Sequence, residues 1–307
     1  MIELKNVVKK FDTYNALDGV DLKIEKGTAF GLLGSNGAGK STILRLLSGI
    51  YKHDSGDVLI DGESVYDNVS TKQKVFFIND ETVQFGNYTL QALKEYYKSY
   101  YMNFSDEMFE ELRQRVNLPL NKKINTFSKG MKRQAIVIIG LACRTDYLLL
   151  DEAFDGLDPT MRIIVKHMLV DAMLDRQLTT VISSHNLKEI NEVCDTAALL
   201  HNGKIVFSRE IDSVTTSVHK IQAVFPKNDD GTAKEYTREQ LSAEGLDILH
   251  FEKNQSIYYI IAKGEMQELE KFFAPKNPVV LELIPLSLEE IFIYELEVLG
   301  YDSNELK

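Results

Sequence analysis

One stretch of the sequence carries a complete chemical signal: Gly34-Ser35-Asn36-Gly37-Ala38-Gly39-Lys40-Ser41 fits the spacing G-x-x-x-x-G-K-[ST] of a phosphate-gripping loop. Glycines let consecutive backbone N–H groups turn inward around phosphate oxygens. A helix starting at the lysine aims its positive end at the same point. In such a loop Lys40 neutralises the β and γ phosphates, and the Ser41 hydroxyl is a hard oxygen ligand for Mg²⁺. Residues Ser35 to Thr42 are therefore expected to contact nucleotide, with ATP and Mg²⁺ as the ligands.

Two further segments could complete that chemistry. Leu148-Leu149-Leu150-Asp151-Glu152 is an apolar run ending in two carboxylates. At the end of a buried strand, Asp151 would lie near the loop and hold Mg²⁺ directly or through water. Glu152, one residue on, points the other way along an alternating strand and could orient or deprotonate an attacking water. Ser183-Ser184-His185 follows another apolar run, where an imidazole can reach a γ phosphate.

These residues need particular elements beneath them. Residues 1 to about 80 read as strands and tight turns: 20–24 alternate with period two, 58–60 run into the turn pair Asp61-Gly62, and 28–33 form an apolar strand before the loop. From about 83 to 145 the pattern turns helical, with Leu90, Leu93, Tyr97 and Tyr101, then Phe109, Leu112 and Val116, at helical spacing. Ser128 is placed to cap a helix whose apolar face is Met131, Ala135, Ile138, Ile139 and Ala142. Residues 147–150 and 180–182 read as buried parallel strands, and 197–200 and 204–207 flank the hairpin pair Asn202-Gly203. The expected domains are 1–215, with a helical subdomain at about 83–145, and a small α+β domain at 216–307. In the latter, strands are expected at 219–225, 247–252 and 256–262, and helices at 265–273 and 286–299.

Composition narrows the classes. The 307 residues suit one large and one smaller domain. A net charge of −11 argues against a protein held by nucleic-acid phosphates and opposes adhesion to anionic lipid. Cys143 and Cys194 have no metal-type spacing and read as buried apolar residues in a reducing compartment. No run reaches the roughly 18 apolar residues of a membrane span, and the first ten residues alternate like a strand rather than a signal peptide. If the protein serves a membrane process, another chain would have to do the crossing.

Taken together, the motifs resemble the ABC (ATP-binding cassette) ATPase family over residues 1 to about 210. The resemblance rests on five features in the family's order. They are the phosphate loop at 34–41, the signature-like Phe127-Ser128-Lys129-Gly130-Met131, the Asp151-Glu152 pair, Ala153-Phe154-Asp155-Gly156-Leu157-Asp158 in the place of the D-loop, and His185 as the switch histidine. It implies an α/β P-loop NTPase cassette with a mixed β-sheet core, an antiparallel β-subdomain and a helical subdomain. It also implies a head-to-tail dimer, in which Ser128, Lys129, Gly130, Met131 and Asp158 of one subunit close over nucleotide held by the other. Phe11 stands where the family stacks adenine, with Tyr14 as its rival. Two departures stand out: Lys129 and Met131 replace a Gly and a Gln of the usual LSGGQ, and the Q-loop glutamine is absent. At that point stand Asn79-Asp80-Glu81, with Asp80 the aligned candidate for a Mg²⁺-bound water and Asn79 its rival.

The Ser-Lys-Gly-Met form resembles bacterial exporter ATPases of the bacitracin-resistance type, which also carry a C-terminal extension. The resemblance therefore implies an ATP-hydrolysing motor at the cytoplasmic face of the cell membrane. It would serve a separate transmembrane permease, as a homodimer or with a sister ATPase, with the permease contact near residues 84–88. Two other readings remain. A cassette acting on nucleic acid or the ribosome would need long heptad arms or a second cassette. The interval from Lys40 to Asp151, about a hundred residues, has no sustained heptads, and no nucleic-acid partner is expected. A weakly hydrolysing regulatory cassette is suggested by the altered signature and opposed by Glu152 and His185.

Overall fold

The computed structural model describes residues 1–79, 86–152, 154–226 and 234–298. The chain divides into two compact units, Met1–Ser208 and Arg209–Lys307.

The first unit opens with an antiparallel hairpin, β1 (Ile2–Phe11) and β2 (Tyr14–Ile24), followed by β3 (Ala29–Leu33) and helix α1 (Lys40–Leu47). Next come β4 (Ser55–Ile60), β5 (Glu63–Ser64), α2 (Val69–Lys72) and β6 (Val75–Ile78). Three helices then run in succession: α3 (Leu90–Tyr100), α4 (Asp106–Arg115) and α5 (Lys129–Ala142). The unit finishes with β7 (Tyr147–Asp151), α6 (Pro159–Arg176), β8 (Thr179–Ser184), α7 (Leu187–Asn191), β9 (Thr196–His201) and β10 (Lys204–Glu210).

Two sheets result. The smaller, ordered β2-β1-β4-β5, is antiparallel. The larger is ordered β10-β9-β3-β8-β7-β6, and its strands from β9 to β6 are parallel. Parallel strands covered by helices are apolar along their whole length rather than alternating, and β3 and β7 are buried at every position. One core joins the two sheets. Ile2, Leu4, Val20 and Leu22 of the antiparallel sheet share it with Phe30, Leu32, Leu149 and Val181 of the parallel one, and with Ile43, Leu44 and Leu47 of α1.

The helical segment follows its sequence signals. Thr89, Ser105 and Ser128 cap α3, α4 and α5 through their hydroxyls, each satisfying an N–H of the first turn. Helix α5 departs from the single expected face: it is buried continuously from Val137 to Ala142, and Arg133 and Gln134 are buried as well. It packs against α4, α6 and β6 at once, which covers its C-terminal half on all sides, while Lys129 at its start stays exposed. No sequence signal was singled out for α2, β6, α6 or α7.

The second unit comprises α8 (Ile211–Ser217), β11 (Val218–Val224), α9 (Arg238–Ala243), β12 (Asp247–Asn254), β13 (Ile257–Lys263), α10 (Met266–Phe273), β14 (Val280–Pro285) and α11 (Leu288–Val298). Its sheet is antiparallel in the order β12-β13-β11-β14, so β11-α9-β12-β13-α10-β14 forms a split β-α-β arrangement. Ile221, Ile248, Tyr258 and Ile260 of the sheet bury against Leu241 of α9 and Leu269 and Phe273 of α10. The expected boundary after residue 215 falls inside α8. Strand β14 was not anticipated, because Glu282 interrupts its apolar run.

Candidate nucleotide site

The carboxyl ends of β3, β8 and β7 lie side by side, and in an open parallel sheet such ends form the ligand crevice. The phosphate loop leaves β3 there. Gly39 takes φ 112° as the residue preceding α1, a conformation costly to any side chain. A Cβ on Gly39 would stand 2.7 Å from the Ala16 carbonyl oxygen, and one on Gly34 would stand 2.2 Å from that of Leu200. The loop is thus fitted between the β2 hairpin and β9. The carbonyl of Ala38 also accepts a hydrogen bond of 3.0 Å from Gly203 N–H.

Lys40 is 6% exposed. Its ammonium donates to the carbonyls of Gly34 (2.6 Å) and Ser35 (3.2 Å) and lies 3.9 Å from Oε1 of Glu152. Burial pulls its pKa below the usual lysine value, against the opposing pull of the Glu152 and Asp151 carboxylates. Such a cation, short of solvent and of full neutralisation, suits an anionic guest.

Asp151 ends β7 and is 2% exposed. Its Oδ1 accepts from Ser41 Oγ (3.1 Å) and from Ser183 Oγ (2.5 Å). Ser41 and Asp151 are both hard oxygen donors, and their convergence fits Mg²⁺. The expected alternation stops at this residue. Glu152 lies beyond the strand with φ 48°, in the left-handed region, so its carboxylate does not swing to the opposite side of the sheet. It stays in the site, with Oε1 facing Lys40 and Oε2 3.1 Å from Nδ1 of His185. That backbone costs about 1–2 kcal/mol for a residue with a Cβ. The N–H of Glu152 is held by the carbonyl (3.2 Å) and hydroxyl (3.1 Å) of Ser183. Burial raises the Glu152 pKa, with the charge of Lys40 and the contact with His185 opposing.

The structure therefore brings Lys40, Ser41, Asp151, Glu152 and His185 together. It adds Asp155, whose carboxylate lies with ligand atoms of Glu152 and His185 within 4.8 Å of one another. The signature-like segment is elsewhere. Ser128 accepts from Met131 N–H (3.2 Å) as a cap, and the Lys129 stem lies across Gly156, where a Cβ would meet its Cδ at 2.7 Å. Among the described residues no hydrogen bond or ion pair joins 128–131 to 34–42. Asp158 caps α6 through Thr160 and Met161 N–H groups (3.1 and 3.0 Å). Phe11 and Tyr14 are 40% and 54% exposed. Tyr14 donates its hydroxyl to the Gly37 carbonyl (3.1 Å), whereas Phe11 packs edge-on against Tyr51 beneath the ammonium of Lys9. Asp80 lies outside the described residues. Its rival Asn79 is described, and its carbonyl accepts from Arg133 (2.7 Å).

Sequence reasoning passed over Ser183 and Arg133. Ser183 had a signal in its position: a hydroxyl at the end of a buried strand beside the one carrying Asp151. Arg133 had another, as a cation leading into the apolar run of α5.

Comparison with known proteins gives the family and the fold. The sequence family described as ABC transporter matches residues 17–155. The ABC transporter ATP-binding protein YtrB of Bacillus subtilis is 31% identical over 95% of this chain and 97% of its own length. The methionine import ATP-binding protein MetN of Staphylococcus saprophyticus is 31% identical over 75% and 72%. The linearmycin resistance ATP-binding protein LnrL of B. subtilis is 29% identical over 67% and 68%. Among solved structures, the dimeric post-hydrolysis state of the ATP-binding cassette MJ0796 with ADP and Pi superposes with a TM-score of 0.62. It is 21% identical and covers 69% of this chain and 99% of that one, a likeness of fold.

Proposed function

This chain belongs to the ABC transporter family as an ATP-binding, ATP-hydrolysing subunit, and from that premise we propose that it is the motor of a bacterial exporter, working as a dimer closed around ATP. The observation that carries the reading is the convergence of Lys40, Ser41, Asp151, Glu152 and His185 on one crevice. Residues 35–42 cradle the phosphates, and Tyr14 or Phe11 borders the base. Ser41 and Asp151 would hold Mg²⁺, which when bound would supply charge neutralisation at the phosphates. Glu152 orients the attacking water and draws off its proton, while His185 holds the Glu152 carboxylate from the side opposite Lys40.

The segment 128–131 acts on the nucleotide of the partner subunit. In support, it opens a helix with a capped, electropositive N-terminus yet makes no bond to its own phosphate loop. ATP then favours the closed dimer by binding it better than the open one. No helix among the described residues is long and apolar enough to cross a membrane. In this reading a separate permease carries the cargo and brings this subunit to the cytoplasmic face. The segment from about residue 216 is an accessory domain of that assembly. For the direction, the Ser-Lys-Gly-Met signature and the resistance relative support export, and the import relative opposes it.

The test is purification of the native permease complex and ATP-driven transport in vesicles. Movement out of the cytoplasmic compartment that Lys40→Ala abolishes supports the reading. Movement in the opposite sense would overturn export, and ATP affinity untouched by Lys40→Ala would overturn the site.

A further inference from the structure

Glu152 is held in its left-handed backbone from two sides. Ser183 takes its N–H, and its carbonyl accepts 2.7 Å from Nη2 of Arg133. The same guanidinium reaches the carbonyls of Asp151 (3.3 Å) and Asn79 (2.7 Å). Arg133 is 6% exposed and stands on α5, a little more than one turn after Ser128. One rigid, planar group therefore ties the start of α5 to the carboxyl ends of β6 and β7, and fixes the peptide plane on the far side of Glu152. A φ near 48° is kept by a residue with a Cβ only where its surroundings over-determine it. The arginine contacts the carbonyl of Glu152 and leaves its carboxylate free to face Lys40 and His185.

We propose that Arg133 is a positioning residue for hydrolysis, holding the Glu152 backbone so that its carboxylate meets the attacking water, and linking that placement to the helix that begins with the signature-like segment. This rests on Glu152 being the group that handles the water. A buried brace of purely structural value would behave differently. Its loss would lower stability and leave the turnover of each folded site intact.

The experiment measures ATP hydrolysis by the full chain. The variants are Arg133→Met, which keeps the stem and removes the donors, and Arg133→Lys, which keeps the charge and part of the donation. Arg176→Met serves as a control. Arg176 also donates to buried carbonyls, those of Thr145 (2.8 Å) and Leu141 (3.4 Å), in a region with no part in the site. Rates are expressed per nucleotide-binding site, so any unfolded fraction drops out. The expected result for Arg133→Met is a kcat lowered about ten- to a hundredfold with KM for ATP within about threefold, because the loss falls on the transition state rather than on binding. Arg133→Lys recovers part of the kcat, and Arg176→Met keeps wild-type kcat despite a lower melting temperature. Wild-type kcat in Arg133→Met, or an equal loss in Arg176→Met, would overturn the proposal. If methionine prevents folding, Arg133→Lys decides alone: reduced kcat at unchanged KM supports positioning, and wild-type kcat refutes it. Glu152→Gln is run alongside. Turnover surviving there is the separate failure of the assignment on which this one rests.

Discussion

Nδ1 of His185 lies 3.1 Å from Oε2 of Glu152, so an imidazole just past β8 meets a carboxylate just past β7. The other oxygen of Glu152 faces the Lys40 ammonium at 3.9 Å. The carboxylate is thus held at both oxygens by groups that survive its conversion to an amide, while its capacity to accept a proton does not. Glu152→Gln should lower turnover by about a hundredfold or more, the scale of a lost general base, and leave ATP binding in place. Light scattering behind gel filtration, with ATP and Mg²⁺, should then show a persistent dimer. A monomer under those conditions would contradict the closed-dimer mechanism.

The pH dependence has a defined sign. Burial lifts the Glu152 pKa above the ordinary glutamate value, and Lys40 and His185 reverse only part of that. A base acts deprotonated, so kcat at saturating ATP should climb with pH over a range lying above the usual value of about 4.3. Stability runs the other way. A raised folded pKa favours the protonated form, so this group's contribution is present at low pH and lost as pH rises through the folded pKa. An acid limb of kcat confined to the ordinary carboxylate range would refute this placement.

Ser128→Arg separates action on a partner from action within the chain. It removes a helix cap worth about 1 kcal/mol and adds bulk where two subunits would meet. Binding of ATP to the monomer, followed by titration calorimetry, should change less than about threefold while turnover is lost. A monomer that no longer binds ATP would mean that the segment works in cis.

Asp61 supplies a stability test away from the site. Its carboxylate contacts the Met1 ammonium (2.9 Å), the Tyr147 hydroxyl (2.7 Å), Lys26 (3.0 Å) and Lys74 (3.2 Å). Burial alone would raise its pKa, but these four partners outweigh it and hold the carboxyl far below the ordinary range. Its stabilising contribution is therefore full above the unfolded carboxylate pKa and is lost as pH falls towards the folded one. Denaturant midpoints from pH 6 to pH 3 should drop more steeply in the wild type than in Asp61→Asn. Equal slopes would mean that the cluster adds nothing.

Sequence reveals the chemistry of this site better than its geometry. Gly34, Gly39, Lys40 and Ser41 are legible because the loop is one continuous segment whose backbone needs show in its glycines. Asp151 is legible only in company: a buried apolar strand ending in acid gains its meaning from the phosphate loop that precedes it in the chain. Glu152 is legible in type but not in direction, since its left-handed φ depends on Ser183 and Arg133, which arrive from distant parts of the chain. Helix α5 shows the same limit: its period marks one face, while tertiary packing also buries Arg133, Gln134, Val137 and Leu141 outside it. In the second unit, Glu282 faces outward on β14 and hides a strand that only its pairing with β11 makes plain.

The squeeze on Gly34 and Gly39 reaches beyond their own dihedral angles. A loop wedged against Ala16 and Leu200 has its contour set by neighbouring strands, whatever it comes to hold. An arriving triphosphate would meet a backbone already shaped, surrendering little chain entropy on capture, so its affinity should depend on charge and solvent release more than on ordering of the backbone.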